Sequence, residues 1–263
     1  MFGTISAGAG YSAWSIVTVP EATPESIPAV TNFTALSSES IFVEWDPLPP
    51  DSGVDQFRVI VYAELPALGS EWPATPTSTD LVISGLSPYT WYSARLAACL
   101  QGIPNSCGTG PVSEHVQTLE APPLDQPSPS LTSPGATTVV VSWRAPVRPN
   151  GVIQIYRIQR RECPESGCQP LDSGILVNIV NGSVQSFVND GLDLRPFTMY
   201  EYSVTAVNSQ GEAASNWSDI RTAEAAPTGM ASPVVSAIGA YTFFISWQPP
   251  SHPNGQVCVF ETV

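Results

Sequence analysis

Residues 138–143 run Thr-Val-Val-Val-Ser-Trp, and residues 194–208 run Leu-Arg-Pro-Phe-Thr-Met-Tyr-Glu-Tyr-Ser-Val-Thr-Ala-Val-Asn. β-Branched residues fill the first stretch and a Trp closes it, so Val139, Val141 and Trp143 share one face of a strand. The second stretch opens on a Leu-x-Pro-x-Thr-x-Tyr corner and continues as another alternating strand. The same pair occurs earlier at Ile41–Trp45 and Leu86–Tyr92, and its first half returns at Tyr241–Trp247. Trp45 and Trp143 lie 98 positions apart, and Trp143 and Trp247 lie 104 apart. That spacing is the size of a seven-stranded sandwich, and its recurrence marks a tandem array.

The composition agrees with an all-β chain. Its 263 residues leave room for about two domains by length alone. Hydrophobic residues make up 43% and charged residues 12%, with 27 prolines. Abundant Pro and β-branched residues with few charges favour strands over helices, and no window keeps a helical period. The net charge is −14 and the sequence pI is about 4.3. Nine basic residues cannot form a phosphate-tracking stripe, which excludes nucleic acid, and the same deficit disfavours an anionic membrane surface. No apolar run approaches the length of a membrane span. Met1–Pro20 lacks the basic start and unbroken apolar stretch of a signal peptide. Three Asn-x-Ser/Thr sequons, at Asn32, Asn181 and Asn216, nevertheless suit a secreted protein. The expectation is a fragment whose natural N-terminus lies upstream.

In chain order, residues 1–20 match 211–222 (both have a Gly turn, then Ser-x-Trp-Ser, then a short strand) and are expected to be the closing strand of a preceding domain. The first complete domain spans 27–119. Ile41, Val43 and Trp45 face inward, as do Phe57, Val59 and Val61 on the next long strand; Leu81–Ile83 is a short strand, Tyr92, Ala94, Leu96 and Ala98 point inward, and Val112–Thr118 closes the domain. The second domain spans 124–223, with strands at Ile153–Gln159, Ile175–Ile179, Val184–Val188 and Tyr200–Val207. Residues 227–263 are expected to be the truncated N-terminal part of a third, in which Trp247 would have no later strands to pack on. Pro-rich links precede each domain, and Pro makes such links extended and stiff.

The cysteines pair locally by spacing. Cys99 and Cys107 flank a hairpin, with Cys99 expected on the outward face, and Cys163 and Cys168 flank a four-residue loop. Disulfides there would contribute roughly 2–3 kcal/mol each. The alternative is a metal site, but these spacings without a nearby His suit zinc poorly. Cys258 is left over.

A Trp ending one strand and a Leu-x-Pro-x-Thr-x-Tyr corner opening another resemble the fibronectin type III family. The immunoglobulin alternative lacks its cysteines on the strands that would bridge the sheets. The resemblance implies that Trp45, Trp143 and Trp247 are core residues. It also implies that Tyr92 and Tyr200 fill the core while their hydroxyls bond back to the corner. Further features resemble the giant many-repeat members of that family in sensory epithelia: the linkers T-L-E-A-P-P (Thr118–Pro123) and T-A-E-A-A-P (Thr222–Pro227), the P-N-G turns at Pro149–Gly151 and Pro253–Gly255, and the Cys-flanked hairpin at Ala98–Gly108. The first domain departs, with Asp51-Ser52-Gly53 in place of P-N-G. This second resemblance implies an extracellular adhesion and spacer role in hair-cell stereocilia links and photoreceptor maintenance. The implied partners are the ectodomain of an adhesion receptor and collagen or another basement-membrane protein. The competing expectations are the ectodomain of a receptor tyrosine phosphatase or of a cytokine-type receptor.

Catalytic chemistry finds no support. The only histidines, His115 and His252, fall on a strand edge and in a turn, and no hydrolase, phosphate-loop or zinc-protease motif occurs. No cofactor or metal is expected. Asp51 with Asp55, and Asp190 with Asp193, lie where turns favour Asp anyway. Tyr11–Ser15 and Ala214–Ser218 resemble the Trp-Ser box of cytokine receptors. That box stacks Trp on Arg, yet the strand before Trp217 carries Glu201, Ser203 and Thr205 and no Arg, so a Trp lying over the sheet is expected.

Overall fold

The computed structural model describes residues 23–24, 26–63, 69–100, 103, 106–164, 174–191 and 193–256. Every regular element among them is a β-strand. The first repeat contains β1 (Val30–Ala35), β2 (Ser40–Trp45), β3 (Val54–Ala63), β4 (Ser70–Ala74), β5 (Asp80–Ser84), β6 (Trp91–Leu100), β7 (Gly108–Thr109) and β8 (Val116–Gln117). One sheet has the order β1-β2-β5, and the other has β4-β3-β6 with β7 and β8 both on the far side of β6. The second repeat has β9 (Ser130–Gly135), β10 (Thr138–Ser142), β11 (Ile155–Cys163), β12 (Ile175–Asn181), β13 (Ser186–Asn189), β14 (Met199–Val207), β15 (Glu212–Ala214) and β16 (Ser218–Arg221). Its sheets repeat the pattern: β9-β10-β13, and β12-β11-β14 with β15 and β16 on β14. β17 (Val234–Gly239) and β18 (Thr242–Ser246) form a separate two-stranded antiparallel sheet.

Alternation places the core. In the second repeat Val139, Val141 and Trp143 meet Tyr156, Ile158, Tyr200, Tyr202, Val204 and Ala206 from the facing sheet. In the first, Ile41, Val43, Trp45, Phe57, Val59, Val61, Tyr92, Ala94, Leu96 and Ala98 are buried in the same pattern. On β17 and β18 the corresponding side chains stay exposed, Trp247 among them at 43%.

Several boundaries differ from the sequence reading, and three of the differences have a plain local reason. The closing strand is split in both repeats. Ser113 donates its N–H to the Ala94 carbonyl (2.7 Å) and accepts the Ala94 N–H on its own hydroxyl (2.9 Å); Ser215 does the same to Val204 at 2.9 and 3.0 Å. The hydroxyl stands in for a ladder carbonyl and interrupts the strand. β11 runs on to Cys163 because it stays paired with β14 as far as Met199. The strand expected at Val184 begins at Ser186, since the Val184 N–H still closes the turn onto the Asn181 carbonyl (2.9 Å).

Candidate functional site

The linker motif is built into the fold at both ends. Thr118, its first residue, is buried. Its hydroxyl donates to the Ser87 carbonyl (2.8 Å) and accepts the Thr90 N–H (3.0 Å). Thr222 repeats this on Arg195 (2.6 Å) and Thr198 (2.9 Å). The linker carbonyls of Leu119 and Ala223 accept the N–H groups of Tyr89 and Phe197, both at 3.1 Å. Tyr89 and Phe197 hold positive φ, 49° and 47°, a conformation costly for bulky residues, and both corners adopt it while donating these bonds.

The Glu of the motif reaches the next turn. Glu120 Oε1 accepts the Val152 N–H (2.8 Å), and its Oε2 accepts from the Ser209 hydroxyl. Ala121 donates its N–H to the Asn150 carbonyl (2.9 Å), and Asn150 returns its side-chain amide to the Pro122 carbonyl (2.8 Å). Asn208 adds a bond to the Ala121 carbonyl (2.7 Å). The second copy keeps three of these bonds. Ala225 N–H donates to Asn254 O, Asn254 Nδ2 donates to Ala226 O (both 2.8 Å), and Gln256 N–H donates to Glu224 Oε1 (3.1 Å). Asn150 and Asn254 sit at φ 50° and 54°, which Asn tolerates and most residues do not. The E-A-P linkers and P-N-G turns, separate motifs in the sequence, are therefore one hydrogen-bonded device. The Ser209 and Val152 bonds hold the Glu120 carboxyl below its ordinary pKa.

The predicted core residues fall as follows. The Tyr200 hydroxyl accepts the Arg195 N–H at 2.9 Å, closing the corner of the second repeat. Tyr92 is buried, Trp45 lies 5.5 Å from Phe57, and Trp143 lies 5.4 Å from Tyr156 (ring centroids). Beside Tyr200 lies a residue the pattern did not mark. Arg160 is buried, with its guanidinium 5.3 Å from the ring and 2.9 Å from the Asp193 carboxylate. Asn189 donates to the Tyr202 hydroxyl at 2.8 Å, and burial pushes the Tyr202 phenol up despite that bond.

Trp217 corrects an expectation. Arg161 stacks on it at 4.5 Å while its guanidinium binds Glu201 at 2.6 Å. The Arg comes from β11, one strand beyond the β14 residues considered from sequence. Trp14 and the box at Tyr11–Ser15 lie outside the described residues, as do 1–20 as a whole.

Cys99 and Cys107 are joined by a disulfide, with Cα atoms 4.0 Å apart. Cys99 is buried at 5% exposure, with Arg58 Nη2 3.5 Å from its sulfur. Cys163 is disulfide-bonded; Cys168 and Cys258 lie outside the described residues. Asn32, Asn181 and Asn216 are all exposed. Asp193 is engaged by Arg160, and His252 Nδ1 is 3.0 Å from the Ser251 hydroxyl. Among the described residues no three His, Cys, Asp or Glu side chains gather as a metal site would require.

Paired sandwiches joined by ordered Pro-rich linkers define a modular β-sandwich repeat protein. The Fibronectin type III domain family matches residues 26–118 and 122–223, and the chain belongs to that family. It is similar to mouse usherin, with 34% identity over 277 residues covering 97% of this chain and 5% of that protein. Human usherin is 34% identical over 267 residues, covering 98% and 5%. Rat phosphatidylinositol phosphatase PTPRQ is 27% identical over 254 residues, covering 94% and 10%. The chain thus spans about a twentieth of the usherins' length.

Proposed function

We propose that the chain is a stretch of an extracellular, non-enzymatic spacer and adhesion protein of the usherin kind, serving links between hair-cell stereocilia and the upkeep of photoreceptors. Its partners on this reading are proteins: an adhesion-receptor ectodomain and collagen or another basement-membrane component. Residues 1–20 would close a preceding repeat and 227–263 would open a following one. The observation that carries the reading is the linker device, three of whose bonds recur at equivalent positions of two successive linkers. A spacer needs links that keep their length. Pulling the chain from its ends tests this: the two repeats should yield in two discrete steps, each releasing roughly 3.3–3.6 Å per residue. Smooth extension without steps would contradict a spacer role.

A second reading rests on the likeness to the phosphatase PTPRQ. A membrane span and phosphatase domain downstream in the parent chain would favour it over the first.

A further inference from the structure

We infer that N-linked glycans on Asn32 and Asn181 cap the two unprotected edge strands of the two sandwiches, β1 and β12, and that without the Asn181 glycan β12 pairs with β12 of a second copy. The inference rests on the extracellular reading, because such glycans are added in the secretory pathway.

An outermost strand offers unpaired backbone donors and acceptors to any other strand. Proteins blunt such edges with charge, Pro, short length or a cover. Most outer strands of the two sandwiches carry one of these devices. β4 has five residues, contains Pro73, and pairs Glu71 with Arg58 at 2.6 Å. β5 starts with Asp80, β9 contains Pro134, and β13 has four residues. β7 and β8 have two residues each, while β15 and β16 are short and charged. Two strands have none of these. β1 is V-T-N-F-T-A and β12 is I-L-V-N-I-V-N, without charge or Pro. β12 is the harder case, since among the described residues it pairs only with β11 and leaves Ile175, Leu176 and Ile179 at least half exposed. Although the chain carries a net charge of −14, β12 itself is neutral, so two copies could meet there without local repulsion.

Both of these strands carry a sequon asparagine. Asn32 lies within β1, and Asn181 is the last residue of β12. Their local geometry also matches. Thr34 Oγ1 donates to Asn32 Oδ1 at 2.5 Å, and Ser183 Oγ donates to Asn181 Oδ1 at 3.0 Å, so each sequon hydroxyl sits on its own Asn amide. At Asn216 the hydroxyl of Ser218 turns away to the Pro129 carbonyl at 2.7 Å. A glycan is bulky and polar, and at the end of β12 it supplies the cover that the strand's sequence omits.

The test uses the whole chain secreted from a mammalian line. Glycopeptide mass spectrometry should find Asn32 and Asn181 occupied. Ser183→Ala, which removes the sequon but keeps Asn181, should raise the weight-average mass toward a dimer in sedimentation, relative to the unchanged chain. Ser183→Thr should restore the starting value. Adding Ile179→Lys to Ser183→Ala should also restore it by placing a charge on the edge. Trimming the glycans of the folded chain with an endoglycosidase should reproduce the shift without any substitution. Glycan at Asn32 or Asn216 with a bare Asn181 overturns this inference alone; no glycan at any of the three overturns it together with the extracellular reading. An unchanged mass after both Ser183→Ala and trimming, or a shift that Ile179→Lys does not reverse, overturns it too.

Discussion

Trp45 and Trp143 occupy the same place in successive repeats, each tilted against an aromatic ring on the following strand. The Trp45 indole donates to the Ser78 carbonyl at 3.0 Å, whereas the buried Trp143 indole has no partner among the described residues. The hairpins after β6 and β14 diverge further. The first is closed by the Cys99–Cys107 disulfide and by Ser106, which accepts the Leu100 N–H. The second is closed by Asn208, whose Oδ1 accepts the N–H groups of Gln210 and Gly211. At the start of each repeat's second sheet, Asp51-Ser52-Gly53 closes a turn through Ser52 N–H to Pro49 O, while Pro149-Asn150-Gly151 grips the linker. The two cores solve the same packing problem in the same way. The margins solve theirs differently, so individuality in this chain lies in hairpins, turns and edges.

The largest effects should come from the shared core and be confined to one repeat. Trp143→Ala should destabilise the second repeat by about 3–5 kcal/mol, read as faster amide exchange across β10 and β14 with β2 and β6 unchanged. Trp45→Phe should cost about 1 kcal/mol more than Trp143→Phe, because only the first leaves a carbonyl without its donor.

Removing Cys99 and Cys107 together by Ala should cost the first repeat about 2–3 kcal/mol, measured by denaturant unfolding. Cutting the Asn208 bonds by Asn208→Ala should cost the second repeat about 1–2 kcal/mol. Equal losses would erase the distinction between the two hairpins.

Glu120→Gln should cost at most about 1 kcal/mol, because the carboxylate is partly exposed and its bonds compete with water. The pH dependence has a fixed sign. A carboxyl held below its ordinary pKa when folded stabilises the repeat above the unfolded pKa. That stabilisation is lost as the pH falls through the lowered value. Acid titration of stability should therefore be shallower below the usual glutamate range in Glu120→Gln. Arg161→Ala should shift Trp217 fluorescence and cost more than the stack alone, because it also strips the mostly buried Glu201 carboxylate of its 2.6 Å ion pair.

The core was legible because a strand alternates with period two, so Val139, Val141 and Trp143 announce their face without help from the rest of the chain. The Tyr200 corner was legible because its residues are contiguous. Arg161 was not: the strand was expected to stop at Gln159, which left Arg161 in a loop, and only the continued pairing with Glu201 puts it beside Trp217. The interruptions at Ser113 and Ser215 escaped because a hydroxyl replacing a carbonyl leaves no mark on hydrophobic alternation. The linker device was half legible. Its parts, Glu120-Ala121-Pro122 and Asn150, stand out in the sequence, but Glu120 and Asn150 lie 30 positions apart, and the bonds of Ala121 and Pro122 with Asn150 and of Glu120 with Val152 depend on the folded turn.

Amide hydrogen exchange along the linker tests whether it is an ordered part of the fold. If the linker is an ordered part of the fold, Ala121, Leu124 and Val152 exchange far more slowly than an unstructured peptide at neutral pH. Glu120→Gln should then speed Val152 more than Leu124, whose N–H donates to the Arg148 carbonyl at 2.8 Å. Exchange of Ala121 and Leu124 at unstructured-peptide rates would mean that the linker is not an ordered part of the fold.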